Sequence, residues 1–308
     1  MKSTRFEWRV TRRDFLKTST AALAGLALPA SQWTHAATTK SLRFGLVTDS
    51  HFAEREPAGA RFYRRSLAKM KECVALMNDE RVDFLVELGD FKDQGNPPAE
   101  KQTLQFLARI ENEYSEFDGP RYHVLGNHDM DSISKAQFLT AVQNTDIPAE
   151  RSYYAFNKNG VHFVVLDANY RRDGSDYDHG NFKWTDPNLP RAELDWLKHD
   201  LAEAKGPVIV FVHQRLDGEG DVFVTNAEQV RTLLETSGKV LAVFQGHHHQ
   251  GAINQINGIH YYTLKAMVEG SKRDQNAYAI ADLDAEGDIT ITGYRRAVSK
   301  DLPHRKRV

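Results

Sequence analysis

The sequence predicts an α/β fold with its chemistry at the ends of the strands. Three observations predict it. Short apolar runs suited to buried strands alternate with segments of helical periodicity along most of the chain. Each of the first three runs is followed, directly or after one Gly, by Asp, His or Asn, and in α/β sheets such strand ends hold the ligands. The apolar run 241–245 ends in Gly246 and three consecutive histidines, His247, His248 and His249. Side chains at i and i+2 of an extended segment point to one side, so His247 and His249 converge while His248 faces away.

Taken in order, residues 41–48 form an apolar strand that runs into Asp49-Ser50-His51. Residues 59–79 carry Leu67, Met70, Val74 and Met77 on one face and predict an amphipathic helix. The strand 82–88 leads into Gly89-Asp90, and a helix over about 98–117 follows, with Leu104, Leu107 and Ile110 inward. The strand 122–125 leads into Gly126-Asn127-His128-Asp129. A helix over 132–145 precedes a hairpin on Asn159-Gly160. The stretch 169–190 is long, polar and aromatic, as functional loops often are. A helix over 191–204, the strand 208–212 with His213, and a helix over 226–235 return the chain to the histidine triplet. Beyond Gln250 the alternation is short and turns on Asn-Gly and Glu-Gly, predicting a meander.

The 308 residues are 41% hydrophobic and 27% charged, an ordinary globular balance. Residues 1–36 stand apart. Arg12-Arg13-Asp14-Phe15-Leu16-Lys17 and the mildly apolar run 18–30 resemble a twin-arginine export signal, with Thr34-His35-Ala36 as the cleavage site. The run is too short and too rich in Ala, Gly and Thr for a stable membrane anchor. The resemblance implies the twin-arginine export machinery as a partner and a periplasmic or secreted single domain over residues 37–308. Removing residues 1–36 takes away six basic and two acidic side chains and moves the formal net charge from −2 to −6. That balance argues against a polyanion such as duplex DNA as a partner, so no nucleic acid is expected, and leaves a small phosphorylated substrate open. The single Cys73 lies at helical spacing with Met70 and Met77 and reads as a core thiol.

The strand-end set is Asp49, His51, Asp90, Asn127, His128, His213, His247 and His249. Carboxylate, amide and imidazole together suit Mn, Fe, Zn or Co better than Ca or Mg, and the lack of Cys excludes a thiolate site. So many candidates exceed the needs of one ion and suit two that share a bridge, for which Asp90 has two oxygens to offer.

At these residues the chain resembles the calcineurin-like metallophosphoesterases, whose five motifs appear in order as Asp49-Ser50-His51, Gly89-Asp90, Gly126-Asn127-His128-Asp129, Val212-His213 and Gly246-His247-His248-His249. The resemblance implies a four-layer αββα sandwich and two divalent or trivalent ions, Mn or Fe first, Zn or Co as alternatives. It assigns Asp49, His51, Asp90 and His249 to one ion and Asp90, Asn127, His213 and His247 to the other. It leaves His128 facing the substrate phosphate. Two such ions activate a bridging hydroxide for in-line attack, and His128, beside a ligand, can protonate the leaving group. Asp129 either orients that imidazole or caps the next helix.

The family's purple acid phosphatases place Tyr three residues after the bridging Asp, where this chain has Asp93. Residues 61–67, Glu87-Leu88-Gly89-Asp90, the strand 164–168 and the Glu269 segment look similar to the manganese-dependent ADP-ribose/CDP-alcohol diphosphatase branch. That branch often has Gln at the position of His51. The expected activity is hydrolysis of phosphodiester or nucleoside-diphosphate-type bonds. A broad phosphomonoesterase and a catalytically silent binding scaffold are the alternatives. Arg61, Arg64 and Arg65 either pair with a second phosphate or form a solvated helix face, and Trp184, Tyr170 or Phe182 either stack on a base or pack under the loop.

Overall fold

Period-two alternation gives each central strand two apolar faces, and those faces build the layers. The structure, a computed structural model, describes residues 41–304. In β1 (Leu42–Val47), Phe44 and Leu46 enter one apolar core while Val47 enters another. β2 (Phe84–Glu87) and β3 (Arg121–His123) continue the sheet in parallel. On the other side of β1, β10 (Ala277–Leu283), β11 (Ile289–Arg295) and β12 (Lys300–Leu302) complete it, in the order β12-β11-β10-β1-β2-β3. The second sheet comprises β4 (Tyr154–Lys158), β5 (Val161–Val165), β6 (Val208–Val212), β7 (Val240–Gln245), β8 (Ala252–Ile256) and β9 (Ile259–Thr263), in the order β4-β5-β6-β7-β9-β8.

Helices α1 (Ser66–Asp79), α2 (Glu100–Tyr114) and α3 (Lys135–Ala141) cover the first sheet through Met70, Cys73, Met77, Leu107, Ile110 and Phe138. Helices α4 (Arg191–Glu203) and α5 (Ala227–Ser237) cover the second through Leu194, Leu197, Leu201, Val230 and Leu234. Between the sheets lies an aromatic layer. Phe44 stacks on Phe84 at 5.1 Å and meets Phe163, Phe211 and Phe244 edge-on at 5.8, 5.9 and 5.6 Å. The result is the expected αββα sandwich.

Two local expectations are corrected. The helix expected from residue 59 starts at Ser66, after a 3-10 turn, because Ala58 and Arg61 exchange backbone hydrogen bonds across a tight turn at Gly59. The strands after the histidine triplet do not form one meander. The β8–β9 hairpin joins the second sheet with β9 parallel to β7, and only β10–β12 form a meander, in the first. β9 is buried along its whole length and so takes an interior place. Among the described residues no helix is long and apolar enough to cross a membrane, and residues 1–36, where an export signal is expected, lie outside them.

His123, at the end of β3, is buried between Glu111 at 3.1 Å and Glu87 at 3.7 Å. Burial opposes its charge, but the two carboxylates outweigh burial and raise it to about 9. Its ordinary value is 6.5, so its stabilising contribution is full below that pH and is lost as pH rises through about 9. Burial also raises Glu87, which acts in the same direction. We expect His123→Gln to remove on the order of 3 kcal/mol near pH 6 and progressively less towards pH 9. Urea denaturation of both proteins across that range reads the difference.

Candidate metal centre

Every strand-end residue leaves a parallel strand at its carboxyl end: Asp49 and His51 after β1, Asp90 after β2, Asn127 and His128 after β3, His213 after β6, and His247 and His249 after β7. Asp49, His51, Asp90 and His247 have φ of 50°, 44°, 57° and 65°, a left-handed region that non-glycine residues enter only at a steric cost. The turns are held by hydrogen bonds between loops, with Asp49 N donating to Gly89 O, His51 N to Asp90 O and Gly246 N to His213 O, each at 2.9 Å. A Cβ on Gly126 would overlap the backbone nitrogen and carboxylate of Asp90, so only glycine lets those two loops meet.

The ligating atoms of Asp49, His51 and His249 lie within 4.8 Å of one another, and so do those of Asp90, His213 and His247. Ring tautomers show what the arrangement accepts. His213 Nδ1 lies 2.8 Å from Leu88 O, and a carbonyl only accepts, so Nδ1 carries a proton. Its Nε2 then faces Asp90 Oδ2 at 3.1 Å. His249 Nδ1 faces Glu269 Oε1 at 3.2 Å and His51 Nδ1 faces Asp93 Oδ2 at 3.4 Å, which favours the proton on Nδ1 of both rings. Their two Nε2 atoms are nevertheless 3.2 Å apart, with Asp49 Oδ1 3.3 Å from one and 3.6 Å from the other. Among the described residues, buried Asp49 Oδ1, Asn127 Oδ1, His213 Nε2 and His247 Nε2 find no hydrogen-bond donor or acceptor. Lone pairs facing one another at such distances are relieved by a proton or a metal cation between them, and the donor set fits transition-metal ions.

The electrostatics agree. Burial works against charge on Asp49, but His249 and His51 hold it well below the usual carboxylate range. Burial likewise opposes Asp90, yet His213, His128 and His51 pull it down. Burial, and after it the charge of His213, pushes His247 down to about 3, leaving a neutral ring with a lone pair. His128 is held well above its ordinary value, because Asp90, Asp131 and Asp93 outweigh burial.

The structure corrects the reading of Asp129. Its carboxylate accepts from the backbone N–H groups of Gly126, Asp90, Phe91 and Lys92, ties the loop after β3 to the loop after β2, and does not touch the His128 ring. The groups facing His128 Nδ1 are Asp93 Oδ2 at 3.5 Å and Asp131 Oδ2 at 3.8 Å. Asp93 therefore stands between His51 and His128, a role that sequence reasoning missed although it singled out the position. Glu269, noticed only as part of a resemblance, backs His249.

A cleft of about 410 Å³ opens over the centre, lined by Asp90, Asn127, His128, His247, His249, Arg61, Trp184, Val222 and Glu269 among others. Arg61 and Trp184 thus reach it, and the Trp184 ring lies 5.9 Å from that of His247. Arg64 and Arg65 do not. Arg64 points to solvent and pairs with Glu54 and Glu56, and Arg65 is exposed on the same turn. These two are the solvated face. His248 is half-buried and lines no part of the cleft.

Residues 42–251 match the family described as calcineurin-like phosphoesterase. A manganese-dependent ADP-ribose/CDP-alcohol diphosphatase of Oryza sativa subsp. japonica is 27% identical over 288 residues, covering 76% of this chain and 86% of that protein. A protein of the same name from Arabidopsis thaliana is 23% identical, covering 84% and 96%. Among solved structures, a dimetal phosphatase from Danio rerio superposes with a TM-score of 0.74 at 21% identity, covering 86% of this chain and 99% of that one. The likeness to the solved structure concerns the fold, and the match to the family spans most of the chain. The chain belongs to the calcineurin-like phosphoesterase family and is a metal-dependent hydrolase acting on phosphoric ester or anhydride bonds.

Proposed function

We propose that this enzyme cleaves phosphodiester or nucleoside-diphosphate-type phosphoanhydride bonds with a dinuclear metal centre and His128 as general acid. The observation that carries the reading is the buried convergence of ligand atoms in two sets, Asp49 with His51 and His249, and Asp90 with His213 and His247, the Nε2 atoms of His51 and His249 lying 3.2 Å apart. Asp49, His51, Asp90 and His249 would hold one ion, and Asp90, Asn127, His213 and His247 the other. Manganese or iron suits these donors, with zinc or cobalt as alternatives. When bound, two such ions supply Lewis-acid stabilisation of phosphoryl charge and lower the pKa of water.

The chain's own groups do the rest. His128 lines the cleft, and Asp90, Asp131 and Asp93 shift it above its ordinary value, the direction that suits delivery of a proton to the leaving oxygen. Asp93 and Asp131 face its Nδ1 and orient the ring, which leaves Nε2 for the substrate. Arg61 offers a second phosphate a cationic partner, and Trp184, 48% exposed, offers a base a stacking face. The names of the Oryza and Arabidopsis relatives support a diphosphate linkage and manganese. Residues 1–36 we read as a twin-arginine export signal on the strength of Arg12-Arg13-Asp14-Phe15-Leu16-Lys17, which would make the mature enzyme periplasmic or secreted.

The test is metal-stripped protein resupplied with Mn, Fe, Zn or Co and offered bis-p-nitrophenyl phosphate, p-nitrophenyl phosphate and a nucleoside diphosphate ester. Diester and diphosphate should be hydrolysed faster than monoester, and only with metal restored. A preference for the monoester would favour a broad phosphomonoesterase, and silence with every metal would favour a binding scaffold.

A further inference from the structure

Behind the half of the centre formed by Asp49, His51 and His249 lies a buried lysine that the chemistry above does not use. Lys69, on α1, is 4% exposed, and its ammonium donates to three backbone carbonyls, Met267 O and Glu269 O at 2.7 Å and Gly270 O at 2.9 Å. An ammonium has three protons, so all are committed. Burial, and after it the charge of Arg296, lowers Lys69 to about 8, which leaves it charged at neutral pH. A charge withdrawn from water this far is costly unless its hydrogen bonds are complete, as they are here.

The segment it grips is tied to the same half of the centre. Ala266 N donates to His249 O at 3.1 Å, Met267 N to Thr48 O at 3.1 Å and Val268 N to Asp49 O at 2.9 Å. Gly270 N donates to Ala60 O at 2.9 Å, beside the cleft residue Arg61. The Glu269 carboxylate faces His249 Nδ1 at 3.2 Å and Arg296 at 3.3 Å. Among the described residues, no hydrogen bond joins residues 266–270 to Asp90, Asn127, His213 or His247.

We infer that Lys69 is a positioning residue for one half of the metal centre: by fixing three carbonyls of residues 267–270 it sets Glu269, and through Glu269 the tautomer and direction of His249. Lys69 therefore governs affinity for one ion and leaves the other alone. This rests on the two-ion reading given above.

The test titrates metal-stripped full-length protein with Mn²⁺ by calorimetry and counts the bound metal after gel filtration. Wild type should show two binding steps, and His249→Ala identifies which of them belongs to this half. Lys69→Met keeps the length of the side chain but leaves the three carbonyls unpaired. It should weaken the same step by about 10–100-fold, as loss of an outer-shell partner does, and leave the other unchanged. Lys69→Gln, which keeps two donors, should fall between. Two unchanged steps in Lys69→Met, or equal weakening of both, overturns the role of Lys69 and leaves the two-ion reading standing. Wild type that takes up fewer than two ions overturns that reading first. Should Lys69→Met not fold, Glu269→Gln removes the same link nearer the surface and must weaken the same single step, or the inference fails.

Discussion

Replacing Asp90 by Asn should lower kcat by about 10³-fold or more and, on the proposed two-ion reading, take bound metal from two ions to one or none, with the fold intact. One oxygen of this carboxylate stands between the two halves of the site, 3.1 Å from His213 Nε2 and 3.4 Å from His51 Nε2. The other accepts from His128 N at 2.7 Å. Asparagine can keep that second bond, and with it the shape of the loop, but then turns an NH₂ group towards the two ring nitrogens. The shared negative charge is lost where two cations would otherwise repel one another. Transition-state stabilisation by metal is worth several kcal/mol, and each 1.36 kcal/mol is tenfold in rate. Elemental analysis with a thermal melt separates metal loss from unfolding. Full occupancy with full activity would remove Asp90 from the bridging position.

His128→Ala should keep its metal and lose about 10²–10⁴-fold in rate on substrates whose leaving group is a poor alkoxide. With p-nitrophenolate, which departs without a proton, the loss should be far smaller. His128 is 29% exposed on its side chain, faces the cleft and is backed by Asp93 and Asp131. That placement supports the proposed role of proton donor. A ligand would instead be lost together with its ion. Steady-state rates over a series of leaving groups decide the matter, and an equal loss across the series would deny His128 the acid role.

How far the site is legible in sequence follows from which contacts are local. The strand-end residues are legible because each follows its own apolar run, and one periodicity delivers all of them to the same edge. Periodicity gives only the α/β class; the αββα layering is implied by the family resemblance that the five motifs carry. The role of Asp129 was not legible. It and His128 are neighbours in the 3-10 turn Asn127–Met130, where adjacent side chains point apart, so the carboxylate meets the loop after β2 instead of the imidazole. Asp93 and Glu269 reach their histidines across loops, and nothing in a linear pattern ties Glu269 to His249 or Asp93 to His128. Arg61, Arg64 and Arg65 look alike in sequence, and the turn at Gly59 sends only the first into the cleft. The loop 169–190 shows no periodicity, yet buried Lys135 pins it by holding Asp167 and Asp176 at 2.7 Å and Asn169 O at 3.1 Å.

Each half of the candidate centre draws its residues from both sheets: Asp49 and His51 meet His249, and Asp90 meets His213 and His247. The spacing of these groups is thus the spacing of two plates, and what keeps the plates in register is the ring layer of Phe44, Phe84, Phe163, Phe211 and Phe244. Those rings carry no charge and touch no substrate, yet they act as the gauge block against which the chemistry is set. A substitution in that layer, such as Phe163→Leu, is therefore expected to lower activity with all the strand-end residues in place, since a misplacement of about 1 Å far from the chemistry can cost about 100-fold, and steady-state rates beside a thermal melt read the difference.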